Sequence, residues 1–432
     1  MPKIAFIGAG SVIFAKNVLG DCIMTPALHD AHIALYDINK EKLEVSESML
    51  CSINRNSGSQ IGIMAYADRK KALDGADYVI NAIHVGGYIP CIVNDFEIPL
   101  KYGLKQTYAD TLGIGGIFRG LRTIPVMLEM AKEMEEVCPN AWLLNYTNPM
   151  AIVTGAVLRA TSVKTIGLCH SVQVCTRELL EGLGMYADSV RSKIAGVNHQ
   201  AWLLEVSTKD GKNLYPEIKR RALERPTPHK DMVRYEIMRR FGYYVTESSI
   251  HSAEYMPYFI KNAYPELLEQ FNIPTGEYKH WGSDQRKYWE SVKKELVENK
   301  NLKHERTHEY ASYIIEAMET DVPYKIGGNV LNKGLITNLS DEACVEVPCL
   351  VDSNGITPCH VGELPPQCAA LNRTNINVQL LTIEAALTHR KEHIYHAAML
   401  DPHTAAEVPI DIIVAICDEL IEANADFLPK YK

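Results

Sequence analysis

The chain has 432 residues, 47% of them hydrophobic and 22% charged, which describes a globular protein long enough for two or three structural units. Lys and Arg number 44 against 53 Asp and Glu, a formal charge of −9, so neither nucleic acid nor an anionic membrane surface is an expected partner. No apolar stretch reaches the ~18–20 residues of a membrane helix. Met1-Pro2-Lys3 runs directly into a strand-like segment with no apolar signal region. The 11 cysteines are odd in number, irregularly spaced and without CxxC, which predicts reduced thiols in a cytoplasmic protein.

Lys3–Ile7 is a short apolar run that closes on Gly8-Ala9-Gly10-Ser11. A helix-compatible stretch follows, then the strand His32–Tyr36 closing on Asp37. A helix from about Lys40, strands near Ile63–Ala67 and at Tyr78–Ile83, and an amphipathic helix between about Gly115 and Val137 continue the series. In that helix Ile117, Leu121, Ile124, Leu128, Ala131 and Met134 recur at three- or four-residue intervals. Strand Ala141–Asn145, a helix after Pro149, strand Lys164–Leu168 and a helix after Ser171 complete it. Such alternation predicts an α/β fold, a doubly wound parallel sheet of Rossmann type over residues 1–195. Beyond about Ala195 the alternation fades. Helical stretches dominate 229–320, extended runs mark Gly327–Pro365, and the last seventy residues read as helical, so 196–432 is expected to form a second, α+β domain. The basic run Lys219-Arg220-Arg221, with Arg225 and Lys230, is interleaved with Glu217, Glu224 and Asp231 and reads as a solvated helix face.

In a sheet of this kind ligands lie beyond the carboxyl ends of the strands. Gly8 and Gly10 let the backbone pass close to a pyrophosphate, and the next helix, starting at Ser11, offers free N–H groups. Ile13 stands where a third small residue is usual. Asp37 is placed to accept hydrogen bonds from the adenosine ribose and to repel a 2′-phosphate, which favours NAD over NADP. The bland alternative is a tight turn with Asp37 as a helix cap. A hydroxy-acid dehydrogenase would need an arginine clamp, for which Arg119 and Arg122 are candidates, and a His–Asp relay. His170 and His199 have no evident relay partner nearby in the sequence.

Cys169-His170-Ser171 and Asn198-His199 each follow an extended segment, and a thiolate with an imidazole suits a divalent transition ion. Together with Gly8–Ser11, Asp110–Gly116 (DTLGIGG), Asn145–Met150 (NYTNPM), Glu247-Ser248-Ser249, Asn372–Asn377 and Ala397–Ala405, these motifs resemble glycoside hydrolase family 4 nearly end to end. Cys-His-Ser is similar to the α-galactosidase branch. The α-glucosidases of the family carry Cys-Asp there and its uronidases tend towards Cys-His-Glu.

The resemblance implies lactate/malate dehydrogenase-like architecture, NAD and Mn²⁺ as cofactors, and a homodimer or homotetramer acting on a small α-galactoside. It implies hydrolysis by oxidation at C3, loss of the C2 proton, elimination, water addition and re-reduction; family 4 is a known exception to the two-carboxylate scheme. Carried over by motif, Cys169 and His199 are metal ligands, Asn148 contacts substrate, Tyr255 is the C2 base assisted by Asp110, and His170 takes the general-acid position, where its imidazolium or a metal-bound water protonates the leaving group. An ordinary tyrosine titrates near ~10, so Tyr255 is expected to be depressed by the metal. The bland alternatives are a buried Cys169, a packing Tyr255, and Asn148 and Asp110 as caps. The branch resemblance has two departures: Ile250 stands where an acidic residue is expected before His251, and around 277–285 Lys279 and His280 are present while the nearest arginine is Arg286. Other readings are a family 4 α-glucosidase or α-galacturonidase, a hydroxy-acid dehydrogenase, or an inactive NAD-binding sensor. His389, His393 and His396 have metal-like helical spacing but read as a solvated face.

Overall fold

The computed structural model describes residues 1–276 and 301–432 and, between them, 284, 287–289, 291, 293–296, 298 and 299. Lys279, His280 and Arg286 lie outside the described residues. Six strands run in parallel: β1 (Lys3–Ile7), β2 (His32–Tyr36), β3 (Gly62–Tyr66), β4 (Tyr78–Asn81), β5 (Trp142–Asn145) and β6 (Lys164–Gly167), in the order 3-2-1-4-5-6. The central strands are nearly all Ile, Val, Leu, Phe and Ala because helices bury both of their faces; Ile4, Ala5, Phe6, Ile33, Val79, Ile80, Leu143 and Ile166 are fully enclosed. β4 stops two residues earlier than the alternation predicts, because Ala82 and Ile83 already leave the sheet to line a cleft.

The sheet does not end with the parallel half. β7 (Arg191–Val197), β8 (Gln200–Ser207), β9 (Tyr244–Val245), β10 (Tyr324–Leu331), β11 (Cys344–Asp352) and β12 (Gly355–Pro358) extend it in antiparallel fashion, in the order β6-β10-β11-β7-β8-β9, with β12 pairing β11. The join is narrow: Asn329 of β10 faces Gly167 of β6, and Glu346 of β11 faces Gly196 of β7. One sheet therefore crosses the boundary expected near residue 195. Helices Gly113–Val137, Met150–Ala160 and Pro366–Thr388 pack on one another and fuse the two halves.

The long helical stretches expected over 229–320 are, among the described residues, mostly short pieces. Met232–Phe241, Ser249–Glu254, Glu266–Gln270 and Ala311–Thr320 are separated by irregular segments. The breakers are identifiable: Gly242 ends the first helix with φ +91°, and Pro257 and Pro265 prevent the following stretch from continuing as one helix. The C-terminal region is helical as predicted. The basic run lies on helix Tyr215–Glu224, where Arg220 pairs with Glu217 and Glu224 at the surface. Among the described residues no helix is long and apolar enough to cross a membrane.

Candidate active site at the carboxyl ends of the parallel strands

A cleft of about 1140 Å³ opens at the ends of β1, β2, β4, β5 and β6, bordered by Gly10, Ser11, Asp37, His84, Asn148 and His170. At its first lip the Gly8 and Ala9 amides donate to the Tyr36 carbonyl at 3.0 and 3.1 Å, tying the glycine turn to β2. The Gly10 amide donates to Asp37 Oδ2 at 2.6 Å, and the Asn39 amide donates to Oδ1 at 2.7 Å. A Cβ at position 10 would stand 2.7 Å from the Asp37 carboxylate, so only glycine permits this approach. Ser11 precedes helix Val12–Ile23, and its hydroxyl makes no cap hydrogen bond. An open helix start beside a bare backbone and a fixed carboxylate fits a dinucleotide, with the pyrophosphate at the turn and the ribose at Asp37.

The second lip is built from both halves of the sheet. Cys169 caps helix His170–Gly182 after β6, and His199 sits in the two-residue turn between β7 and β8. Glu247 precedes helix Ser249–Glu254. The donor atoms of Cys169, His199 and Glu247 lie within 4.8 Å of one another, the one such group among the described residues. His199 Nε2 is 3.4 Å from Glu247 Oε2, while its Nδ1 is 3.2 Å from the Tyr255 hydroxyl. Burial alone would push the His199 imidazole down. The Cys169 sulfur and the Glu247 carboxylate outweigh burial and carry it up to about 10. Sulfur, imidazole and carboxylate around one point fit a divalent transition ion. The imidazole would bind as its neutral form, with the far ring nitrogen directed to a hydrogen-bond partner. His393 and His396 pack ring to ring on helix Lys391–Leu400 at 6.2 Å, and among the described residues they belong to no metal-like donor group.

Behind this cluster lies a charged network. His251 Nε2 is 3.4 Å from Asp110 Oδ1, and its Nδ1 is 2.9 Å from Ser248 Oγ and 3.7 Å from Glu247 Oε1. Its ring stacks on Tyr108 at 4.2 Å. Arg119 approaches Asp110 Oδ2 at 3.7 Å, and Asn148 Nδ2 donates to the same oxygen at 3.5 Å. Burial would raise the Asp110 carboxyl, but His251, Arg119 and His199 hold it well below the usual carboxylate range. Asn148 Oδ1 is buried without a partner. Arg122, the other candidate clamp, is spent on Asp95 in a fully buried pair at 2.5 and 3.1 Å.

Tyr255 lies beside this network, with its hydroxyl 3.2 Å from His199 Nδ1. It is 2% exposed, and burial together with Asp110, Glu247 and Glu254 raises its hydroxyl well above 10. The polypeptide alone thus works against a phenolate, and lowering it requires a positive charge that these side chains do not supply.

His170 has the carboxylate partner that the sequence does not reveal. Its Nε2 lies 2.7 Å from both oxygens of Glu309, and its side chain is 54% exposed towards the cleft. Burial opposes the charged ring, but the Glu309 hydrogen bond and charge prevail and raise it. The stretch carrying Glu309 is tightly anchored. Asp21, at the end of helix Val12–Ile23, accepts from His304 Nε2 at 2.6 Å and from the Thr307 amide and hydroxyl at 2.8 and 2.6 Å. Tyr310 donates its hydroxyl to the Cys169 carbonyl at 3.0 Å.

Two family profiles match in succession, family 4 glycosyl hydrolase over residues 3–185 and family 4 glycosyl hydrolase C-terminal domain over 194–404. The chain belongs to glycosyl hydrolase family 4. An α-galactosidase of Bacillus subtilis is 61% identical over 433 residues, covering 100% of both chains. An α-galactosidase of Rhizobium meliloti is 35% identical, covering 99% of this chain and 89% of its own. Among solved structures, a 6-phospho-α-glucosidase from gut microorganisms in complex with NAD and Mn²⁺ superposes with a TM-score of 0.84 at 21% identity, over 100% of both chains. Lactate dehydrogenase from Eimeria maxima superposes at 0.53 and 16% identity, over 90% of this chain and 94% of its own. That second likeness is the shared Rossmann-type frame.

Within this family 4 chain the structure brings Cys169, His199, Tyr255, Asp110 and Asn148 into one connected neighbourhood, with His170 on the adjoining cleft rim. Gly8, Gly10, Ser11 and Asp37 form the opposite lip. Reading the sequence misses Glu247 as a third donor, His251 as the bridge to Asp110, and Glu309 behind His170. Glu247-Ser248-Ser249 is visible as a motif, but its role depends on a contact with a distant turn. Glu309 is 139 residues from its partner and carries no local signal.

Proposed function

We propose that this family 4 enzyme is an α-galactosidase that cleaves melibiose-type α-galactosides with NAD and Mn²⁺. The substrate follows the 61% identity to the Bacillus subtilis α-galactosidase over the full length of both chains. The observation that carries the chemistry is the Cys169–His199–Glu247 donor group beside the cleft lined by Gly8, Gly10, Ser11 and Asp37. When bound, the two cofactors supply reversible oxidation at C3 and polarisation of the neighbouring sugar oxygens, which makes the C2 hydrogen acidic.

The chain's own residues do the rest. Gly8, Gly10, Ser11 and Asp37 seat the dinucleotide, and Cys169 and His199, joined by Glu247, hold the metal. Asn148 directs its unpartnered Oδ1 to a sugar hydroxyl. Tyr255, deprotonated where the bound metal's charge lowers its hydroxyl, would receive the C2 proton on its phenolate oxygen, with Asp110 fixing the surrounding charge through His251. His170, whose charged form Glu309 favours, gives a ring proton to the departing glycosidic oxygen. Residues 1–195 supply the dinucleotide seat together with Asp110, Asn148, Cys169 and His170, and residues 196–432 add His199, Glu247 and Tyr255. The enzyme is proposed to act as a homo-oligomer in the cytoplasm, where the Cys169 thiol stays reduced.

Hydrolysis of nitrophenyl α-galactoside should require added NAD⁺, Mn²⁺ and thiol, and should slow when the sugar carries deuterium at C2. Full activity after both cofactors are stripped would refute this assignment.

A further inference from the structure

The narrow join in the sheet forms a buried polar bridge between the two metal-bearing arms. Gly167, Asn329, Glu346 and Gly196 face one another in a single row across β6, β10, β11 and β7. Cys169 follows one end of this row and His199 the other. Asn329 Nδ2 donates to the Gly167 carbonyl at 3.3 Å and to Glu346 Oε1 at 3.0 Å. Asn198 Nδ2, from the residue preceding His199, donates to the same Glu346 oxygen at 3.3 Å. Asn198, Asn329 and Glu346 are all fully buried. A Cβ at position 167 would lie 2.9 Å from the Asn329 Cβ and 2.6 Å from Met150 Sδ, so the glycine makes this close crossing possible.

Two features say that the bridge serves more than cohesion. Enclosing a carboxyl group is costly, and an apolar pair would tie two strands at less cost. Glu346 Oε2 also remains buried without a partner, so the group is not optimised for stability. Meanwhile His199 holds φ +63°, a left-handed conformation that is unfavourable for a non-glycine residue. Its turn therefore needs an external anchor, and the Asn198–Glu346 bond is one.

We propose that Glu346, acting through Asn329 and Asn198, is a positioning residue that sets the spacing and orientation of Cys169 and His199 for the metal. This rests on the metal reading of the Cys169–His199–Glu247 group. The bridge needs an acceptor oxygen at Oε1, so Glu346→Gln should preserve it and Glu346→Ala should release both amides.

The test is titration of Mn²⁺ into the NAD-loaded full chain, following the magnetic resonance signal of free Mn²⁺, with NAD affinity measured separately by fluorescence. Glu346→Ala should weaken Mn²⁺ binding about 10–100-fold, the range seen when supporting partners of metal ligands are removed. NAD affinity should stay unchanged, and Glu346→Gln should recover most of the loss. Should Glu346→Ala not fold, Asn198→Ala cuts one arm only and should weaken Mn²⁺ binding with NAD affinity intact. A folded Glu346→Ala protein, or Asn198→Ala in its place, that binds Mn²⁺ like the unsubstituted chain overturns the proposal. So does Glu346→Gln as weak as Glu346→Ala, which would make charge the cause. An unsubstituted chain that binds no Mn²⁺ at all refutes the metal reading itself, and this inference with it.

Discussion

The two lips of the cleft are built in opposite ways. The dinucleotide lip is local: a glycine turn after β1 and an aspartate after β2 meet through backbone amides, and parallel pairing of those strands fixes their distance. The metal lip is assembled from side chains on three separate segments, two of them belonging to the antiparallel extension of the sheet. Local construction tolerates changes elsewhere but almost none in backbone shape. Assembly from distant parts leaves the backbone freer and places the whole demand on a few side chains and their supports.

Substitutions should separate the two lips. Cys169→Ser should produce the largest effect, a fall in kcat of roughly a thousandfold or more, since a Lewis acid contributes several kcal/mol to such a step. NAD titration of the same variant should be unchanged; a parallel loss of NAD affinity would show that the lips are not independent. Glu247→Gln should weaken Mn²⁺ binding about 10–100-fold, as read by calorimetry, and leave the cofactor cleft intact. Gly10→Ala should do the reverse. Its added carbon meets the Asp37 carboxylate, and overpacking of about 1–3 kcal/mol predicts NAD binding weaker by about 5- to 150-fold with normal Mn²⁺ affinity.

The smallest effect concerns acid stability. The Asp110 carboxyl is depressed in the fold, so its contribution is complete above the unfolded value near ~4 and drains away as pH falls through the folded value. The thermal midpoint of the unsubstituted chain should drop more steeply below pH ~4 than that of Asp110→Asn. Equal slopes would exclude Asp110 as a source of that sensitivity.

Legibility follows the same division. Lys3–Ile7 and His32–Tyr36 emerge from the sequence with their observed bounds, and the helix after Asp110–Gly116 is displaced by only two residues, because buried parallel strands and amphipathic helices write their period into neighbouring positions. Gly10 and Asp37 are readable for the same reason. Cys169, His199 and Tyr255 are recognisable through family motifs, but their mutual geometry is not. Nothing near His170 announces Glu309, and nothing near His199 announces Glu346, since each contact forms only when the antiparallel strands and the 304–311 segment fold back on the parallel sheet. The helical stretches expected over 229–320 are, among the described residues, shorter than expected because Gly242, Pro257 and Pro265 interrupt the hydrogen-bond ladder.

The clamp at Asp21 has a mechanical consequence. The helix that begins at the glycine turn ends on this carboxylate, and the strap it grips goes on to hold His170 through Glu309 and the Cys169 carbonyl through Tyr310. The backbone frames of the two seats thus rest on one strap, while the side chains that would hold nucleotide and ion remain separate. Whatever factor loading the nucleotide imposes on ion retention, the ion must return in equal measure to nucleotide retention.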